Sequence, residues 1–335
     1  MDNINYRLAE RKLKKDAGWG VVSARNVLIY AALVILLSIF YAGEIWAQSE
    51  SGALNILFSD GDNYAGALKT YDYNYPYGFK ISRDGSLYLS NTPKNSILQF
   101  DFMGRLVKSY SSRDKLFDRA GDLTFDNEGM LYFASLKTMQ IIKVDMLSRE
   151  LQRFGGRSTA EAGLMSIYQI EAAFGKKIFA QDIVSSKINA YSSTGAFIKK
   201  IDCNVAGFAI TAKGGLLYLN YDRCSGYSLF LADINEKTSR RVFCAGLAAV
   251  EGVEFIGADH KGNIYISASA SHCGPFGERE IIVYNANGIY LNNYRVKKSL
   301  ITRQFFVFGD GSLYSAETDA TAANPLPAKI SIKKY

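Results

Sequence analysis

The stretch Asp84-Gly85-Ser86-Leu87-Tyr88-Leu89-Ser90-Asn91 decides the fold, because variants of it recur along the chain. A turn residue opens a short apolar strand with an aromatic at its centre. The other copies are Gly129-Met130-Leu131-Tyr132-Phe133, Lys177-Ile178-Phe179-Ala180, Gly215-Leu216-Leu217-Tyr218-Leu219, Gly262-Asn263-Ile264-Tyr265-Ile266 and Gly311-Ser312-Leu313-Tyr314-Ser315. The aromatics Tyr88, Tyr132, Phe179, Tyr218, Tyr265 and Tyr314 are separated by 44, 47, 39, 47 and 49 residues. A period near 45 with four strands per unit is the mark of a β-propeller, and the six copies predict six blades.

Working outward, each copy continues into an alternating third strand, first seen as Ser96-Ile97-Leu98-Gln99-Phe100-Asp101 before Gly104. Its counterparts start at Gln140, Lys187, Ser228 and Glu280, and their alternation is the period-2 pattern of half-buried strands. The last copy reaches its third strand at Lys329-Ile330-Ser331-Ile332-Lys333. An unmatched strand, residues 53–58, precedes the first copy and is expected to supply the missing outer strand of the sixth blade. The fold class expected is thus all-β, a six-bladed propeller of four-stranded blades over residues 53–335.

Asp84-Gly85-Ser86-Leu87-Tyr88-Leu89-Ser90-Asn91, then Asn95 to Asp101 and Gly104, resembles an NHL repeat. The copies around Tyr132 and Tyr265 are similar to it, and those around Phe179 and Tyr218 depart from it. The resemblance covers about 280 residues, from Ala53 onward, and implies the fold. Propellers of this kind serve mostly as binding platforms, with a minority of lactonases, lyases and related hydrolases. No catalytic motif is carried over residue by residue.

Composition agrees with short strands and Gly turns: 42 Tyr and Phe (22 + 20), 29 Gly and only 5 Pro among 335 residues. At 21% charged and 48% hydrophobic, the chain is neither disordered nor collagen-like.

The N-terminus sets the expected compartment. Residues 1–26 carry 6 basic and 3 acidic side chains, and the run Val27 to Gly43 is 17 residues without a charge. Extended to Trp46 it has 20 residues, enough helix for roughly 30 Å of hydrocarbon. The expected organisation is a basic cytoplasmic segment (1–26), a membrane-spanning signal-anchor (27–47), a linker (48–52) and an exported propeller (53–335). The rival reading is a signal peptide cleaved after Ala47, which would make the protein secreted. Either way the bulk of the chain leaves the cytoplasm.

Four Cys fall in two equivalent pairs, each joining the end of a fourth strand to the loop after the next second strand. Repeat symmetry therefore pairs Cys203 with Cys224 and Cys244 with Cys273, as disulfides of an oxidising compartment.

Candidate binding residues converge on the channel mouth. Tyr71, Tyr73, Tyr75 and Tyr77 alternate, so an extended backbone puts all four rings on one side, either as an aromatic platform or as a cap on the core. The starts of the first strands contribute Asp122, Tyr168, Glu251 and Arg303. Two carboxylates with an Arg resemble an ion pair more than a calcium cage, which needs six or more oxygen ligands. No metal, no cofactor and no catalytic residue is expected. With 33 basic and 28 acidic residues from 48 onward, a mild excess of +5, the surface gives no sign of nucleic acid. The function expected is a membrane-anchored extracytoplasmic module binding or scaffolding a protein or glycan partner. The alternative is an extracytoplasmic hydrolase or lyase, lactonase-like, with a central-channel site.

Overall fold

Hairpin turns built by one carboxylate or amide side chain organise the chain. Asp101 Oδ1 accepts from the backbone N–H of Met103 and Arg105, both at 2.9 Å, and Gly104 completes the turn. The same pattern recurs at Asp126, Asp259 and Asn285, each three residues before a Gly. At Gly85 the reason for Gly is explicit: its φ of 81° is the left-handed region that a Cβ disfavours.

The computed structural model describes residues 53–57 and 75–335, apart from 112–117, 146–148, 174–175, 212, 224, 234–237, 246–250, 270–276 and 320–328. It forms six antiparallel four-stranded sheets. After β1 (Ala53–Leu57), blade one holds β2 (Phe79–Ile81), β3 (Leu87–Asn91), β4 (Ser96–Phe100) and β5 (Leu106–Ser111). Blade two holds β6 (Ala120–Phe125), β7 (Leu131–Ser135), β8 (Gln140–Val144) and β9 (Glu150–Gly155). Blade three is β10 (Ile167–Ala173), β11 (Lys177–Asp182), β12 (Lys187–Ser192) and β13 (Phe197–Asp202). Blade four is β14 (Phe208–Ile210), β15 (Leu216–Asp222), β16 (Gly226–Ala232) and β17 (Ser239–Cys244). Blade five is β18 (Glu251–Ala258), β19 (Ile264–Ser269), β20 (Glu278–Tyr284) and β21 (Tyr290–Lys297). Blade six contains β22 (Phe305–Val307), β23 (Leu313–Thr318) and β24 (Lys329–Lys334), and β1 pairs antiparallel with β24, Ala53 opposite Lys333.

The apolar core is divided into six clusters, one at each contact between neighbouring blades. Tyr88, Tyr132, Phe179, Tyr265 and Tyr314 each pack towards the following blade. Tyr218 does not. In blade four Leu217 stands opposite Ala209, and Tyr218 stands opposite Phe208. That one-residue shift turns Tyr218 back towards blade three, while Leu217 faces blade five. The aromatic reading of this copy is corrected accordingly: the repeat position is Leu217.

Residues 1–52, with the expected anchor and linker, lie outside the described residues. Among the described residues no helix is long and apolar enough to cross a membrane.

Candidate functional site

The first strands converge on an axial cavity of about 160 Å³, lined by Lys80, Glu171, Ala209, Gly257, Arg303 and Phe306 among others. Four of these residues sit opposite a repeat aromatic: Lys80 opposite Tyr88, Glu171 opposite Phe179, Gly257 opposite Tyr265 and Phe306 opposite Tyr314. In blade two the matching residue is Thr124, opposite Tyr132. The repeat therefore delivers one residue from each blade to the same level, a glycine in blade five, and the sequence decides what chemistry stands there.

Lys80 of blade one and Glu171 of blade three form an ion pair, and the Lys80 ammonium also lies 5.1 Å from the centre of the Phe306 ring. Both oxygens of Glu171 are committed further. Thr124 Oγ1 donates to one at 3.1 Å and Gln169 Nε2 to the other at 3.2 Å. Deeper in the ring, Arg303 Nη1 and Arg279 Nη1 each donate to Glu254 at 2.9 Å. The Arg303 guanidinium also lies over the ring of Tyr168, 5.3 Å from its centre. Asp122, 1% exposed, accepts from the backbone N–H of Ile170 at 2.9 Å. Three bases (Lys80, Arg279, Arg303) thus face three acids (Asp122, Glu171, Glu254).

Burial controls the titration of this cluster. It pushes the Asp122 carboxyl above its ordinary value, with Arg303 and Lys80 pulling the other way. Burial also raises the Tyr168 phenol, aided by the charge of Glu254. For Arg303, burial alone would loosen the proton, but Asp122, Tyr168, Glu254 and Glu171 reverse that and hold it more firmly than usual.

The structure brings Asp122, Tyr168 and Arg303 together, as three of the four residues expected at the first-strand starts. Glu251 is different. β18 shifts register between Glu251 and Glu254, and the acid that reaches Arg303 is Glu254. The Glu251 side chain lies outside the described residues. Lys80, Glu171, Glu254 and Arg279 were missed from sequence, although three of them sit in first strands between apolar neighbours, where an unexplained charge asks for a buried partner.

The alternating Tyr segment is described only in part, since Tyr71 and Tyr73 lie outside the described residues. Tyr75 is half-buried and burial raises its phenol. Tyr77 is 3% exposed, and its hydroxyl donates to the carbonyls of Ile167 at 3.0 Å and Tyr168 at 2.9 Å. A ring so placed ties blade three to the chain entering blade one, and it offers no surface to a partner.

Cys203 is buried, its Sγ–H donating to the Val205 carbonyl at 3.2 Å, and burial pushes its thiol up to about 12. Cys244 is exposed. Their expected partners Cys224 and Cys273 lie outside the described residues. In protein kept under reductant at pH 8, iodoacetamide is expected to modify Cys244 readily. Cys203, with a thiolate fraction on the order of 1 in 10,000, should stay unmodified until the protein unfolds. Equal rates by mass spectrometry would contradict this burial.

A second cavity, of about 450 Å³, opens between the first turns of blades one and two. It shares Lys80, Asn127, Glu171 and Phe306 with the axial cavity and adds the apolar walls Ile81, Tyr88 and Phe125. Arg83 Nη2 donates to Asn127 Oδ1 at 3.0 Å, linking the two turns. A hard divalent cation needs six or more oxygen ligands. Among the described residues no group of three His, Cys, Asp or Glu is placed to hold a metal, and Glu171 and Glu254 are already matched by bases.

No family model matches the sequence, and no curated protein is similar to it at a significant level. Solved structures do share the fold. Virginiamycin B lyase from Staphylococcus aureus superposes with a TM-score of 0.53 at 12% identity, covering 84% of this chain and 87% of its own. A gluconolactonase from Xanthomonas campestris gives 0.52 at 13% identity, covering 78% and 86%. The calcium-binding protein regucalcin from Agrobacterium tumefaciens gives 0.52 at 11% identity, covering 77% and 89%. At such identities the likeness concerns architecture alone: this chain is a six-bladed β-propeller of the kind found in gluconolactonase and virginiamycin B lyase.

Proposed function

We propose that this protein is a binding module, a propeller held outside the cytoplasm by the membrane-spanning segment 27–47 and turned towards a protein or glycan partner. The observation that carries this reading is the state of the axial carboxylates. Glu171 and Glu254 are each tied to bases, and Asp122 is buried on a backbone N–H, so none is left open to bind a metal or to take a proton from a substrate. The extracytoplasmic placement brings with it the disulfides Cys203–Cys224 and Cys244–Cys273.

A second reading, an extracytoplasmic hydrolase or lyase, is favoured by the likeness to a lyase and a gluconolactonase. One set of measurements separates the two. The purified full-length chain, with and without added divalent cations, is expected to show no lactone or ester turnover above buffer. Turnover that Asp122→Ala abolishes would replace the binding reading by the enzymatic one. Membrane fractionation followed by N-terminal sequencing tests the anchor, and a mature chain starting at Gln48 in the soluble fraction would remove it. Non-reducing peptide mapping tests the two disulfides.

A further inference from the structure

The fourth strands carry a repeated irregularity that puts apolar side chains into solvent. In blades one, two, three and five the second residue of the fourth strand has no partner in the third. The pairing steps from Leu106 to Lys108, from Glu150 to Gln152, from Phe197 to Lys199 and from Tyr290 to Asn292. The residues passed over are Val107, Leu151, Ile198 and Leu291, and each is 41–60% exposed. A β-bulge at a sheet edge re-aims its extra side chain, and the same bulge in four blades is a property of the repeat. Single exposed apolar residues are ordinary, but these are set by a recurring device at one end of the propeller.

Two of the bulges belong to larger patches. Beside Val107, the turn into β5 exposes Phe102 and Met103; beside Leu291, the turn into β21 exposes Ile289, which Tyr290 follows. Blade six stands between them and has no such turn, because β24 ends at Lys334 and β1 begins at Ala53, opposite Lys333. The patches flank that beginning. A Cβ on Gly104 would run into the Leu54 side chain, and the rings of Tyr335 and Tyr294 lie 6.1 Å apart. Only residues 48–52 separate Ala53 from the segment 27–47, and five extended residues reach roughly 17 Å. The apolar side chains are interspersed with the exposed polar residues Ser109, Asn292 and Asn293, and Arg295 and Lys334 are exposed near them. A protein partner wants a contiguous apolar centre, whereas a lipid surface takes apolar residues singly and welcomes cations beside them.

We infer that the third-to-fourth-strand turns of blades five and one dock on the surface of a lipid bilayer. Phe102, Met103 and Val107 on one side of Ala53, and Ile289, Tyr290 and Leu291 on the other, enter its head-group region. This deepens the membrane-held reading above and rests on it. The end of the propeller that carries the second-to-third-strand turns, Val184 among them, then faces away from the lipid and is left for the partner.

The test uses the full-length chain reconstituted in vesicles of phosphatidylcholine and phosphatidylglycerol in equal parts. Trp19→Phe and Trp46→Phe first remove the two native Trp residues. Met103→Trp and Ile289→Trp are then read separately, with Val184→Trp, at a position 67% exposed, as the control on the opposite end. All three positions are exposed, so the variants should melt with the parent. When brominated acyl chains replace ordinary ones, the indoles of Met103→Trp and Ile289→Trp should lose about half their emission, and that of Val184→Trp should keep it. Adding Val107→Asp and Leu291→Asp should restore most of the emission, which a mere tether would leave quenched. Equal quenching at all three positions would overturn the docking. So would unquenched indoles at Met103→Trp and Ile289→Trp in a chain that still floats with the vesicles, a result that leaves the anchor standing; a blue shift there would assign the rim to a second protein molecule. A chain that does not float with the vesicles would overturn anchor and docking together. Quenching that an alkaline wash abolishes would remove the anchor and keep the docking.

Discussion

Arg303→Met is expected to destabilise the propeller by about 3–5 kcal/mol, the cost of removing one partner from a buried ion pair. At about 2–4 °C per kcal/mol for large domains, a thermal melt should shift down by roughly 10 °C. The substitution leaves Glu254 with Arg279 alone and removes the cation that restrains Asp122. The sign of the pH dependence follows. Asp122, already raised by burial, rises further, and a carboxyl raised in the folded state gives stability that is lost as the pH climbs through that raised value. The deficit of the variant relative to the parent should therefore be smallest in acid and grow towards neutrality. An equal shift at every pH would mean that Asp122 does not feel Arg303.

Gly207→Ala should be at least as damaging, about 4 kcal/mol or more. Gly207 has φ 92°, and a Cβ there would overlap the backbone carbonyl of Phe255. Blades four and five approach this closely because Phe255 N–H donates to the Ala206 carbonyl at 2.8 Å, an inter-blade bond that bridges Ala206 and Glu254. The carbonyl cannot move aside without breaking that bond. Gly207 N–H is also held by Gln181 Oε1 at 2.7 Å, which fixes blade three to the same point. Low yield of folded protein, or a melt lowered by roughly 10 °C, is the expected result. A variant that melts with the parent would show that the inner strands can slide apart.

The blade count was legible because the repeat carries its own punctuation. A turn side chain, a Gly and an apolar strand with a central aromatic recur at most of the second strands, as at Asp84-Gly85 to Leu89. The axial charges were harder to read. β2 and β14 have three residues each, too short for alternation to declare which way Lys80 or Ala209 faces. The sequence points to Glu251 at the start of β18, but a β-bulge cannot be seen in a string of letters, and it is the bulge there that brings Glu254 to Arg303. The spacing does mark this level: Lys80, Thr124, Glu171, Gly257 and Phe306 each stand eight residues before a repeat aromatic. Tyr218 hid the sixth, since its shifted register moved the partner to Phe208.

The pairing of β1 with β24 also sets a clock. Each of blades one to five is made of four consecutive strands and can form once those four have emerged where the propeller folds. Blade six joins residues 280 positions apart, Ala53 with Lys333. At about 5–20 residues per second, translation keeps β1 waiting roughly 14–56 s for its mate. Throughout that interval Leu54 and Ile56 belong to a nascent segment whose hydrogen-bonding edge has nothing to bind. The first strand made is thus the last to be satisfied. A ribosome that stalls before Lys329 releases an open arc with two unsealed ends, and not a smaller ring.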